Sequence, residues 1–203
     1  MFFLTLALLG QSVALDADTG AAARQCVAAF TRAEHTKGSI RSISRRVYLG
    51  QVYARAEGAD DAHFFDSVLS GYRKGQMQAE RGVDSPSLAA CDKRFPKARA
   101  TAPVSLPADP ETRDAICGAT FLLLYLASAM GLDDEESSWW QQEGSRDYGR
   151  AMKRLREVSR KRGLADFDFN RAKPLLGEAL RSAGDIGNPE AIQESCSKLP
   201  TQP

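Results

Sequence analysis

At 203 residues, with 43% hydrophobic and 26% charged side chains, the chain has the composition of a folded globular protein, which argues against a disordered or fibrous class. Lys+Arg 27 against Asp+Glu 26 leave a formal charge of +1, so no global field selects nucleic acid or an anionic membrane as partner. Charge-driven binding has to come from a local patch.

Residues 1–14, MFFLTLALLGQSVA, carry no charged side chain and place Ser12 and Ala14 at the small-residue positions of a cleavage site. They resemble a secretory signal peptide that lacks the basic n-region, with cleavage after 14 or 17; a buried N-terminal helix is the competing reading. Export makes the chain periplasmic or secreted.

Four cysteines follow, Cys26, Cys91, Cys117 and Cys196, none in a Cys-x-x-Cys pair, and there are 2 histidines. A zinc site would need widely separated ligands, whereas an even cysteine count behind an export signal favours disulfides. Three pairings are possible. Modularity favours Cys26 with Cys91 and Cys117 with Cys196, since each pair then brackets one segment.

Apolar residues recur at helical spacing, with no sustained alternation that would build a sheet, so the fold class is all-α. Ala23, Cys26, Val27, Phe30 and Ala33 form one stripe, and Ile43, Val47, Gly50 and Ala54 a second that ends at Gly58. Phe65, Val68, Leu69 and Tyr72 form a third, preceded by Asp60 and Asp61, which suit a helix N-terminus. Ser85 and Pro86 read as the cap and first residue of a short cysteine helix. Residues 18–95 are thus expected to form one small unit of three helices and a closing turn.

Residues 96–110 carry four prolines, Pro96, Pro103, Pro107 and Pro110, and no periodic apolar face, the pattern of an exposed, semi-extended linker. Asp109–Pro110 then opens a helix, as Asn188–Pro189 does later. Residues 116–132, ICGATFLLLYLASAMGL, are the most apolar run after the leader, at the lower length limit for a bilayer span. Gly118, Thr120, Ser128 and Gly131 favour a buried core helix, with a membrane anchor as the alternative. Tyr148, Met152, Leu155 and Val158 share a face, as do Leu175, Leu176, Ala179 and Leu180, with Pro174 tolerable near that helix's start. Ile192, Cys196 and Leu199 close the chain, so residues 111–200 form a second unit of three helices and a closing turn.

The stretches SPSLAACDKRFP (85–96) and NPEAIQESCSKLP (188–200) resemble each other, and A-x-G-x-D-D occurs at 56–61 and 129–134. The latter alignment is offset from one built on the cysteines, so decayed duplication and recurring cap chemistry are equal explanations, and no standard repeat period fits.

Chemistry-bearing clusters are sparse. His63 with Asp60 and Asp66 lies within one helical turn, and His35 follows Glu34, but capping accounts for such placements and a metal site would lack further ligands. Asp133, Asp134, Glu135 and Glu136 are consecutive acids that cannot all face one cleft. There is no G-x-S-x-G, H-E-x-x-H, EF-hand or phosphate-binding loop. No cofactor or metal is implied.

The basic run Arg146, Arg150, Lys153, Arg154, Arg156, Arg160, Lys161 and Arg162, against Asp147 and Glu157 in the same helix, could meet an anionic partner, or serve as an ordinary solvated face. Trp139 and Trp140 stand just ahead of it. The reading is therefore an exported, non-enzymatic helical interaction, inhibitor or envelope accessory protein, with Arg146, Arg150, Lys153, Trp139 and Trp140 as candidate contacts. Its partner would be an unidentified protein or anionic envelope component, with no nucleic acid expected and membrane association disfavoured. The alternatives are an enzyme with an acid/His site and a protein anchored through 116–132.

Overall fold

A computed structural model describes residues 17–33, 39–129, 145–164 and 167–200. Among these the secondary structure is helical without strands: α1 (Ala17–Ala33), α2 (Ile40–Ala56), α3 (Asp61–Glu80), α4 (Leu88–Arg94), a 3-10 turn (Pro96–Arg99), α5 (Pro110–Ala129), α6 (Ser145–Lys161), α7 (Phe169–Ile186) and α8 (Pro189–Ser197). The expected leader, residues 1–14, lies outside the described residues.

Local chemistry sets the helix ends. The Asp60 side chain accepts from the His63 N–H, the Asp109 carboxylate accepts from the Thr112 N–H at 2.7 Å, and the Asn188 side chain accepts from the Ala191 N–H at 3.0 Å. Each satisfies a donor that a helix start leaves unpaired. For α4 the cap is Ser87 rather than Ser85: its Oγ accepts from the Ala90 N–H at 3.2 Å, and Pro86 stays outside the helix. Gly58 follows α2 at φ +68°, the left-handed turn that suits a residue without Cβ. Pro174 sits on the exposed side of α7, about one and a half turns from its Asp168 cap.

Two apolar clusters form the interior. The larger joins Val47, Phe65 and Val68 to Ile116, Leu123, Leu155 and Leu176, so helices on both sides of residues 96–110 share it. The smaller holds Val27, Phe30, Leu49, Tyr53, Phe95 and Ala98. Burying a side chain of this size contributes about 1.5–3 kcal/mol against leaving it exposed. Helix α2 stands between the clusters and is buried nearly all round, with Ile43, Val47 and Ala54 facing the larger and Tyr48, Leu49, Val52 and Tyr53 the smaller.

The disulfides pair Cys26 with Cys91 and Cys117 with Cys196. The first ties α1 to α4 in the smaller cluster, and the second ties α5 to α8 in the larger.

Helix α3 lies on α7 at close range. A Cβ on Gly177 would overlap the Asp61 carbonyl, while Phe65 meets Phe169 edge-on at 5.2 Å. Arg181 donates to the Asp61 carboxylate at 3.0 Å and to the Ala59 carbonyl at 2.6 Å, with its guanidinium 4.7 Å from the Phe64 ring centroid.

The proline-rich stretch is largely exposed, as its composition predicts, but it is docked rather than free. Val104 and Leu106, two residues apart on an extended chain, pack against the larger cluster. Ser195 fastens the stretch further: its Oγ accepts from the Val104 N–H and donates to the Val104 carbonyl, both at 2.9 Å.

Helix α5 is buried over most of its circumference, including Ile116, Leu123 and Leu124. No helix among the described residues is long and apolar enough to cross a membrane.

Candidate functional site

Trp139 and Trp140 lie outside the described residues, as do His35 and the acids at 133–136. Arg146 is on the α6 backbone, but its side chain is likewise outside them. Arg150 and Lys153 are exposed on α6.

The structure divides the basic run by role. Arg154 is only 7% exposed: one guanidinium nitrogen donates to Asp114 at 3.1 Å and the other to the Pro200 carbonyl at 2.8 Å, latching the chain end onto α5 and α6. Arg162, just beyond α6, bridges Glu178 at 2.7 Å and Glu111 at 2.8 Å, and those hydrogen bonds raise its already high pKa. At about 100° per residue, Arg150, Lys153, Arg156, Arg160 and Lys161 fall on the arc opposite Met152, Leu155 and Val158. All five are exposed, whereas the apolar three are buried.

The His63 group does not converge on a site. His63 Nδ1 lies 2.7 Å from the Asp60 carboxylate, with both side chains largely exposed. Asp66 instead pairs with Lys173 of α7 at 2.6 Å. The hydrogen bond from the His63 side chain, then that from its backbone N–H, holds the Asp60 carboxyl below its ordinary pKa. Among the described residues no group of three His, Cys, Asp or Glu side chains could hold a metal ion.

A concave site lies elsewhere, where α2, the corner between α4 and the 3-10 turn, and the end of α7 enclose a cavity of about 460 Å³. Helix α2 supplies Tyr48, Gln51, Val52 and Arg55 at helical spacing; the corner supplies Arg94, Phe95 and Lys97; α7 supplies Gly184 and Asp185. Arg55 donates to the Asp185 carboxylate at 2.6 Å and also to the Arg181 carbonyl. Lys97 donates to the Asp185 carbonyl at 2.9 Å, and Arg94 to Asp18 at 3.1 Å. Burial raises the Tyr48 phenol pKa, opposed by nearby Arg55.

Gln51 is 1% exposed, and its Nε2 donates to the Leu180 carbonyl at 3.4 Å. Its Oε1 is buried without a hydrogen-bond partner. Sequence reading missed this groove because its walls come from segments far apart in the chain. A visible trace was the set Tyr48, Gln51 and Arg55, polar groups interleaved with apolar ones around a helix that has little polar face to spare.

No protein-family model matches the chain, and no curated protein or solved structure matches it.

Proposed function

We propose that the chain is an exported, non-enzymatic helical protein that docks an acidic protein surface in the cell envelope through the exposed face of α6. The observation that carries this reading is the placement of the α6 cations: Arg150, Lys153, Arg156, Arg160 and Lys161 are all exposed on one arc of the helix, opposite its buried apolar stripe. Half-buried Glu157 falls within the same arc, so the arc's charge is predominantly positive, and such a patch steers association with a complementary surface. The apolar stripe of α6 is turned into the core, so the helix has no apolar face left to sink into a lipid interface, which favours a protein partner. Two disulfides support an oxidising compartment.

The test has two readouts. Protein recovered from its host should have an intact mass lacking residues 1–14 or 1–17; a full-length mass would overturn export. Labelled poly-L-glutamate, standing in for an acidic surface, should bind and release as salt rises. The triple reversal Arg150→Glu, Lys153→Glu, Arg156→Glu should weaken that binding by about tenfold or more, and the control reversal Arg81→Glu, Lys93→Glu, Arg171→Glu should not. Equal weakening by both triples would remove α6 as the docking face.

A further inference from the structure

The groove between α2, the α4 corner and α7 is separate from the α6 face, and its chemistry points to a small ligand. Its volume of about 460 Å³ lies within the range of small-molecule sites. Its cations are held in place rather than waving in solvent: Arg55 is anchored on Asp185 and the Arg181 carbonyl, and Lys97 on the Asp185 carbonyl. Counting Arg55, Arg94 and Lys97 against Asp185 and Asp18 leaves a single positive surplus, which suits a monoanion better than a phosphate dianion.

The Gln51 amide supplies the second element. Its nitrogen is committed to Leu180, and its oxygen lies 3.5 Å from where a Cβ on Gly184 would stand. The Arg55 guanidinium lies 3.1 Å from that same point, so the acceptor and the cation face one spot beside Gly184 on the groove wall. A buried acceptor without a partner carries a desolvation penalty, which a ligand N–H removes. Val52 and Phe95 supply apolar wall.

We propose that this groove binds a small organic carboxylate that also carries an N–H donor, the chemistry shared by N-acylated amino acids and peptide C-termini. The carboxylate sits between Arg94 and Lys97, the N–H donates to Gln51 Oε1, and the apolar part lies along Val52 and Phe95. Charge selects the head group and the orphaned amide oxygen selects the donor.

The experiment is a titration of the disulfide-intact chain, followed by amide NMR, with four probes: N-acetyl-L-leucine, its methyl ester, 4-methylpentanoate and inorganic phosphate. N-acetyl-L-leucine should give saturable shifts centred on Tyr48, Gln51, Phe95 and Gly184. The ester, which lacks the charge, should bind about tenfold more weakly, and 4-methylpentanoate, which lacks the N–H, about fivefold more weakly. Lys97→Glu should weaken N-acetyl-L-leucine by about tenfold. Gln51→Leu should erase the difference between N-acetyl-L-leucine and 4-methylpentanoate; thermal melts of both variants establish that they are folded. No saturable shift at about 10 mM N-acetyl-L-leucine, unchanged binding in folded Lys97→Glu, or phosphate binding as tightly as N-acetyl-L-leucine would each overturn the proposal.

Free peptide termini are distinguished from acylated amino acids by adding a glycyl-leucine arm. Tighter binding of glycyl-leucine than N-acetyl-L-leucine assigns the peptide source, and the reverse assigns the acylated amino acid.

Discussion

The two disulfides close loops of similar length, with sequence separations of 65 and 79, yet they do different work. Cys91 is the one buried residue of the seven-residue α4, whose Leu88 is 38% exposed, so the bond to Cys26 is that helix's principal attachment. Cys196 belongs to α8, which also buries Pro189, Ala191, Ile192 and Ser195 and is fastened to the proline-rich stretch by Ser195. Loop-closure entropy gives each bond about 4 kcal/mol, a model-dependent figure that is nearly blind to this contrast. A cross-link's entropy depends on the loop it closes; its local effect depends on what else holds the element it reaches.

The largest expected effect tests that contrast directly. Replacing either pair by alanines, Cys26→Ala with Cys91→Ala or Cys117→Ala with Cys196→Ala, should lower unfolding stability by about 4 kcal/mol in denaturant titrations. Hydrogen exchange should then separate them. Loss of the first pair should free the amides of residues 88–94, while buried Phe95 and Ala98 and the hydrogen bonds of Lys97 and Ala98 keep 95–99 in place; loss of the second should leave most of α8 protected. Equal deprotection of α4 and α8 would break the comparison.

Next in size is the ion pair that helps keep the second region docked without its disulfide. Arg154→Met removes a close ion-pair partner of the buried Asp114 carboxylate, which keeps Arg113 at 3.8 Å, and should cost about 3 kcal/mol, much of it recovered when Asp114→Leu is added. A double variant as unstable as the single would show that the arginine acts mainly through Pro200. Gly177→Ala should cost about 2 kcal/mol by forcing α7 away from the Asp61 carbonyl, read as a lowered melting temperature. An unchanged melt would mean that the α3–α7 seam is looser than the structure indicates.

The smallest effect lies at the same seam, where Asp60 caps α3. Its carboxyl is held below the ordinary pKa in the fold, so between the two values the unfolded chain binds more protons. The cap's contribution is therefore complete above the ordinary aspartate value of about 3.9 and is lost as pH falls through the lower folded value. The His63 amide should report that loss below the ordinary value. A midpoint at or above the ordinary value would remove the hydrogen-bonded cap from the account.

Much of the helical architecture was legible because its signals are local. The 3.6-residue stripes at Phe65–Tyr72 and Leu175–Leu180, and the caps Asp109 and Asn188, needed no tertiary information. Of the three possible cysteine pairings, the one that modularity favours is the one observed, although one apolar cluster spans both segments. Ser85 was mistaken for Ser87 because both are cap-forming serines two positions apart, and only backbone direction distinguishes them. The docking of Val104 and Leu106 went unseen because prolines obscured a short alternating pattern.

Within the candidate site, the exposure of Arg150 and Lys153 was readable from the helical wheel. The internal role of Arg154 was not, since its partners Asp114 and Pro200 lie 40 and 46 positions away.

The α3–α7 seam also gives the chain a temporal order. Asp61 and Arg181 are 120 positions apart, and Gly177 and Phe169 belong to the same late segment. A chain delivered from its N-terminus presents Cys26 and Cys91 long before the helix that covers α3 arrives. The early cross-link can therefore form on a body whose flank, including Phe65, is still uncovered. Until α7 follows, that flank is the place for a chaperone to hold and for a second unfinished chain to stick.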